Sequence, residues 1–158
     1  MKKVAFIFPG QGSQTVGMGR DFFENSDIAK DMISKASARL GIDFEKLLFE
    51  ENENLGKTEF TQPAILLVSS IANAIFKEKL NITPEFVLGH SLGEFSALVA
   101  AGALDYLDAI ELVHKRGLFM TEACAGGGAG MMALVGIDDD AVEKICEEQR
   151  DAGKQVWP

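Results

Sequence analysis

Tryptophan and tyrosine occur once each, cysteine twice and proline four times in the 158 residues. The two cysteines, Cys124 and Cys146, have no CxxC or Cys/His partner spacing. That suggests neither a disulfide framework nor a zinc site and fits a reducing cytoplasm. Positive charge is also scarce: 15 Lys and Arg stand against 24 Asp and Glu, a formal net charge of −9. This balance argues against nucleic acid or an anionic membrane as the main partner. Long apolar runs are missing too. The run at residues 4–8 breaks at Pro9-Gly10, too short for the apolar region of a signal peptide. The stretch 63–76 is interrupted by Ser69, Ser70 and Asn73 and falls short of a bilayer span. No internal repeat or low-complexity tract appears, so a solenoid is not supported.

What remains is an ordinary globular composition, 47% hydrophobic and 25% charged, enough for one sizeable core. Residues 4–8 read as a buried strand of a parallel sheet covered on both faces, feeding the loop Pro9-Gly10-Gln11-Gly12-Ser13-Gln14. Apolar residues at 28, 32, 33, 36 and 40 mark a surface helix over 27–40, stopped by Gly41. A wider apolar arc predicts a second, largely buried helix from about Pro63 to Leu80, with proline in the first helical position where its missing N–H costs nothing. Residues 86–88 read as a central strand, 92–101 as the helix leaving it after one tight turn, and 106–123 as a further helix. The glycine-rich stretch 125–130 reads as a linker. Beyond it a strand is expected at 131–137, a helix at 138–150 and the start of another strand at 155–157. A strand begun so near Pro158 with nothing yet to pair with reads as part of a longer protein.

The chemistry centres on Gly89-His90-Ser91-Leu92-Gly93, a G-x-S-x-G pattern between a strand and a helix. In such a nucleophile elbow the serine sits on a strained turn that exposes its hydroxyl. The N–H of Leu92, at a helix N-terminus, would face a developing oxyanion. The bland alternative is a serine that merely caps the helix. A second oxyanion donor would come from the Pro9-Gly10-Gln11-Gly12 turn, because the carboxyl ends of parallel strands converge on one crevice. Neither GxxxxGK[ST] nor GxGxxG is present, which weighs against a phosphate-cradling loop; a plain tight turn is the alternative. Arg116 places a permanent cation on the apolar side of a helix, where it needs a ligand carboxylate or an internal salt bridge. His90 and His114 read as ordinary structural histidines facing away from Ser91.

The motifs Phe8-Pro9-Gly10-Gln11-Gly12-Ser13-Gln14, Thr61-Gln62-Pro63-Ala64, Gly89-His90-Ser91-Leu92-Gly93-Glu94 and Arg116-Gly117 span nearly the whole chain. Their order resembles the malonyl-CoA:acyl carrier protein transacylases, which include the acyltransferase domains of fatty acid and polyketide synthases. The resemblance implies an α/β fold: an α/β-hydrolase-like parallel-sheet core with a nucleophile elbow over residues 1–125. The start of a small ferredoxin-like α+β subdomain would follow over 126–158.

It further implies that Ser91 takes a malonyl group from malonyl-CoA as an ester and passes it to the phosphopantetheine thiol of acyl carrier protein. The N–H groups of Gln11 and Leu92 would form the oxyanion hole, Arg116 would grip the malonyl carboxylate, and Gln62 would line the same site. No metal or bound cofactor is implied, and the protein would be a cytoplasmic monomer. The family's catalytic histidine lies in a carboxyl-terminal part beyond residue 158, so the intact protein is expected to be about twice as long and this segment alone poorly active. Two rivals stand beside this reading: a serine thioesterase or esterase of the α/β-hydrolase class, and a non-catalytic scaffold that binds acyl carrier protein.

Overall fold

The computed structural model describes residues 3–80, 82–125, 130–132 and 134–158. They form two compact units, Met1–Ala125 and Gly126–Pro158. The first contains β1 (Ala5–Phe8), α1 (Arg20–Asn25), α2 (Asp27–Leu40), α3 (Phe44–Phe49), a 3-10 turn (Asn54–Gly56), α4 (Thr58–Leu80), β2 (Phe86–Gly89), α5 (Leu92–Ala100) and α6 (Tyr106–Ala123). The strands pair in parallel, Ala5 opposite Phe86 through to Phe8 opposite Gly89. Their carboxyl ends therefore lie side by side, and the loops that follow them start next to one another.

Helix α4 is the hub of the unit, packing against α2, α5 and α6. Leu66, Leu67 and Ile71 from α4 meet Ile110 and Val113 from α6, with Phe44 and Leu48 from α3 completing the core. By length and composition α4 is apolar enough to cross a membrane, more so than the interrupted stretch 63–76 implied. Yet 56% of its most apolar window is buried in the unit, which makes it the central core helix. Gly41 ends α2 in the left-handed conformation (φ 66°), its N–H bonded to the Ser37 carbonyl, as its position in the sequence led us to expect.

Two expectations for this unit need correction. Helix α4 starts at Thr58, five residues before Pro63. Its first turn is nucleated by the Lys57 carbonyl, which accepts from the N–H groups of Phe60 and Thr61, while the Thr61 hydroxyl closes onto the Leu55 and Lys57 carbonyls. Proline inside a helix leaves the carbonyl four residues earlier without its intrahelical donor. Here that carbonyl belongs to Glu59, and His114 Nδ1 lies 2.8 Å from it. Among the described residues the sheet is also covered on one face rather than both. Along β1 and β2 burial alternates, and Ile7 (73% exposed), Phe86 and Leu88 form an open apolar face. The period-2 alternation of a strand puts only Phe6, Phe8 and Val87 towards the helices.

In the second unit, α7 (Asp139–Asp151) is capped by Asp138, whose carboxylate accepts from the Asp140 N–H, and it buries Cys146. The strands expected at 131–137 and 155–157 are absent among the described residues there. A strand is held by its neighbour's N–H and C=O groups, and no described residue of this unit supplies that ladder. Met131 and Val135 are accordingly almost fully exposed. Residues 126–129 of the expected linker, and residue 133, lie outside the described residues.

Candidate active site

The turn after β2 is built by backbone touching backbone. A Cβ on Gly89 would overlap the main chain of Gly93, and one on Gly93 would overlap the carbonyl of Phe8 at the end of β1. A Cβ on Gly10, in the neighbouring loop, would come within 2.7 Å of the His90 carbonyl oxygen. These three glycines let the β1 loop, the β2 turn and the first residues of α5 share one small volume. Between them Ser91 has φ 52° and ψ −104°, the one positive φ at a non-glycine among the described residues. Such a conformation stores about 1–3 kcal/mol and persists where its surroundings over-determine it.

Ser91 is exposed, and although it is the first residue before α5 its side chain makes no capping bond. The bland reading of a capping serine therefore fails. Its Oγ instead accepts a hydrogen bond from Arg116 Nη2 at 3.0 Å. Arg116 Nη1 donates to Oε1 of Gln62 at 2.6 Å, and the guanidinium lies 5.7 Å from the Phe95 ring centre, within cation–π range. Gln62 is fully buried, and its Nε2 is directed at Met120 Sδ, 3.3 Å away. Thus α4, the elbow and α6 each send one side chain to the same point. Among the described residues no carboxylate lies within ion-pair distance of Arg116. The internal salt bridge weighed for it is absent there; its partners are neutral oxygens, a ring face and open solvent. A half-buried guanidinium so placed gains most from an anion that brings two oxygens to its fork.

The oxyanion donors expected from the sequence are the N–H groups of Leu92 and Gln11. The N–H of Leu92 is the first of α5 and has no acceptor among the described residues, whereas Gly93 and Glu94 bond back to the carbonyls of His90 and Ser91. Gln11 sits in the loop after β1. That loop is closed by Ser13 Oγ donating to the Gly10 carbonyl and by the Gly12 N–H donating to Gln14 Oε1. The Gln11 side chain reaches Thr58 Oγ1 at 3.2 Å, tying the loop to the start of α4.

Neither histidine is bonded to Ser91. His114 is engaged with the Glu59 carbonyl, and His90 lies with its Nδ1 against Gly10. Among the described residues no cluster of His, Cys, Asp and Glu could hold a metal ion.

Beside Arg116 runs an apolar groove of about 480 Å³ walled by Phe95, Leu112, Phe119 and Met120. Phe95 and Met120 are site neighbours that sequence reasoning missed. The only available signal was spacing: each stands four residues, one helical turn, beyond Ser91 or Arg116.

A family profile described as "Acyl transferase domain" matches residues 5–153. The malonyl CoA-acyl carrier protein transacylase of Staphylococcus aureus (strain MSSA476) is 44% identical over 159 residues, covering 100% of this chain and 51% of that protein. The crystal structure of malonyl-CoA:acyl carrier protein transacylase from Helicobacter pylori superposes with a TM-score of 0.89 at 45% identity, over 94% of this chain and 48% of that one. A second structure shows a type II PKS acyl-carrier protein in complex with its malonyl-transacylase. It matches with a TM-score of 0.82 at 36% identity, over 93% of this chain and 48% of that one. The chain spans about half the length of the curated relatives it matches. With an elbow serine and a matched profile over almost all its residues, the chain belongs to the acyl transferase domain family and has its α/β acyltransferase fold.

Proposed function

We propose that the whole protein transfers a malonyl group from malonyl-CoA to the phosphopantetheine thiol of acyl carrier protein, through an ester on Ser91. One observation carries this reading. The guanidinium of Arg116, without a carboxylate partner among the described residues, is hydrogen-bonded to the hydroxyl of an exposed serine on a strained backbone turn. An acid bound on that guanidinium has its other end beside the nucleophile.

In the first half-reaction Ser91 Oγ attacks the thioester carbonyl. Its proton passes to a base, the C–S bond breaks and coenzyme A leaves as the thiol. In the second half-reaction the phosphopantetheine thiol attacks the malonyl ester and Ser91 recovers its proton, a double displacement of the kind acyl-enzyme chemistry uses. The N–H groups of Gln11 and Leu92 are assigned to the oxyanion hole of both tetrahedral intermediates. Arg116 is assigned to the malonyl carboxylate, with Gln62 holding its other nitrogen. The base is assigned to a histidine outside residues 1–158, since His114 is engaged with the Glu59 carbonyl and His90 is not bonded to Ser91.

Residues 126–158 are assigned to the beginning of a small ferredoxin-like subdomain. The protein is placed in the cytoplasm as a monomer. With a net charge of −9 on this chain, a basic docking surface for an acidic carrier protein is either a local patch or lies outside residues 1–158.

Full-length protein incubated with malonyl-CoA tests the reading. The expected result is a malonyl adduct on the peptide containing Ser91, discharged by acyl carrier protein. Free malonate released equally with and without the carrier protein would assign a thioesterase instead. No adduct at all would leave a non-catalytic carrier-binding scaffold.

A further inference from the structure

We infer that His114 is a positioning residue for the carboxylate-binding pair Gln62–Arg116, acting through the helix carbonyl that Pro63 leaves free. The inference rests on the proposed malonyl transfer only for its effect on activity. Its geometry stands on three contacts along one face of α6, all to the same residue of α4. His114 Nδ1 lies 2.8 Å from the Glu59 carbonyl oxygen. One turn on, Gly117 lies against the Glu59 backbone, where a Cβ would come within 2.6 Å of Glu59 Cα. One turn further, Thr121 Oγ1 donates to Glu59 Oε2 at 3.1 Å. On the adjoining face of α6, Arg116 and Met120 meet Gln62, three residues after Glu59. The helix is thus held at Glu59 and read at Gln62.

A carbonyl only accepts, so Nδ1 of His114 carries the proton and Nε2 is left without one in the neutral ring. Proline at residue 63 leaves that carbonyl without its intrahelical donor, and the His114 contact takes the vacant place. Any other residue there would donate its own N–H to the Glu59 carbonyl. His114 therefore replaces an intrahelical bond with an interhelical one, and this fixes the azimuth of α4 at the point where Gln62 Oε1 must face Arg116 Nη1. A guanidinium with one nitrogen tied has less freedom to lose when a carboxylate arrives.

The test uses full-length protein and three variants, each first checked for a cooperative thermal transition. His114→Leu removes the donor, His114→Asn keeps an N–H near the Nδ1 position, and Pro63→Ala/His114→Leu returns an intrahelical donor to Glu59. The expected result for His114→Leu is a loss of malonyl-over-acetyl preference of about threefold to tenfold, the size of one lost neutral hydrogen bond, seen chiefly in KM. Asn should restore it, and the double variant should recover part of it. A merely structural histidine would lower stability and leave the preference unchanged, and that result would overturn the inference.

A second arm needs no activity. In ¹⁵N NMR spectra the His114 ring should be the Nδ1–H tautomer, and His114→Leu should broaden the Gln62 side-chain amide signals. The Nε2–H tautomer, or an unaltered Gln62 signal, would overturn the inference even if the transfer reaction is as proposed. If the wild type transfers no malonyl group, the functional reading falls by itself, and the NMR arm still decides whether His114 holds Gln62 in place.

Discussion

Gly117 of α6 meets Glu59 of α4 with no side chain between them: a Cβ at 117 would stand 2.6 Å from Glu59 Cα and 2.9 Å from the Thr58 carbonyl. The Arg116-Gly117 pair of the family motif thereby has a physical meaning. The glycine lets the two helices close, and closure brings the guanidinium of its neighbour onto Gln62.

Gly117→Ala should push α6 away from α4. Overpacking of this kind costs about 1–3 kcal/mol. Thermal or urea unfolding would measure that loss, and malonyl transfer by the full-length variant should fall with it. A variant of wild-type stability would show that the helices have slack at this point.

Ser91 holds a backbone conformation that glycine adopts more readily. Ser91→Gly should therefore be at least as stable as wild type, by up to about 1 kcal/mol, whereas Ser91→Ala keeps the strain. Both variants should lose the covalent adduct. Urea denaturation of the pair separates strain from chemistry, and equal stability of the two would argue that the turn is relaxed.

Arg116→Ala should lower malonyl transfer by about tenfold to a hundredfold, the cost of a charge-assisted hydrogen bond. Acetyl transfer should change far less. Arg116→Lys should not restore the preference, because an ammonium cannot reproduce the fork that grips Gln62 and a carboxylate together. The ratio of kcat/KM for the two thioesters is the readout.

On the outer surface Glu111 lies between Lys115 and Arg39, with Asp108 also on Arg39. The Lys115 and Arg39 hydrogen bonds hold the Glu111 carboxyl below its ordinary range. A carboxylate depressed on folding adds stability above its unfolded pKa and loses it as pH falls through the folded value. Wild type should thus exceed Glu111→Gln in melting temperature at neutral pH, with the gap closing only in acid, below the usual carboxylate range. Added salt should shrink it at any pH, since the network lies at the solvent surface.

The longer periodic segments were legible from the residues alone. Helix α6 runs over the span its apolar spacing predicts, α2 stops at Gly41, and the elbow forms between β2 and α5. Helices α1 and α3 have six residues each, too few to carry a period, and α3 is defined by burying Phe44, Leu47 and Leu48 under α2 and α4. The start of α4 was misread because Pro63 looks like a first-turn proline; the carbonyl it leaves free inside the helix is met by a histidine 51 positions away.

The site followed the same division. Ser91 announces itself through its glycines and Arg116 through its incongruous charge, but their 3.0 Å contact links residues from separate helical layers, and no spacing rule reports it. Phe95 and Met120 were invisible because an aromatic or a methionine on an apolar face is ordinary core composition.

At the elbow, Gly10, Gly89 and Gly93 leave main chain as the only spacer between the two strand ends and the helix that follows. The seating of the Ser91 turn against the end of β1 is therefore gauged by the thickness of the polypeptide itself. Any side chain added at those three places would act as a shim, spreading the strands and carrying the serine out of reach of a partner mounted on another helix.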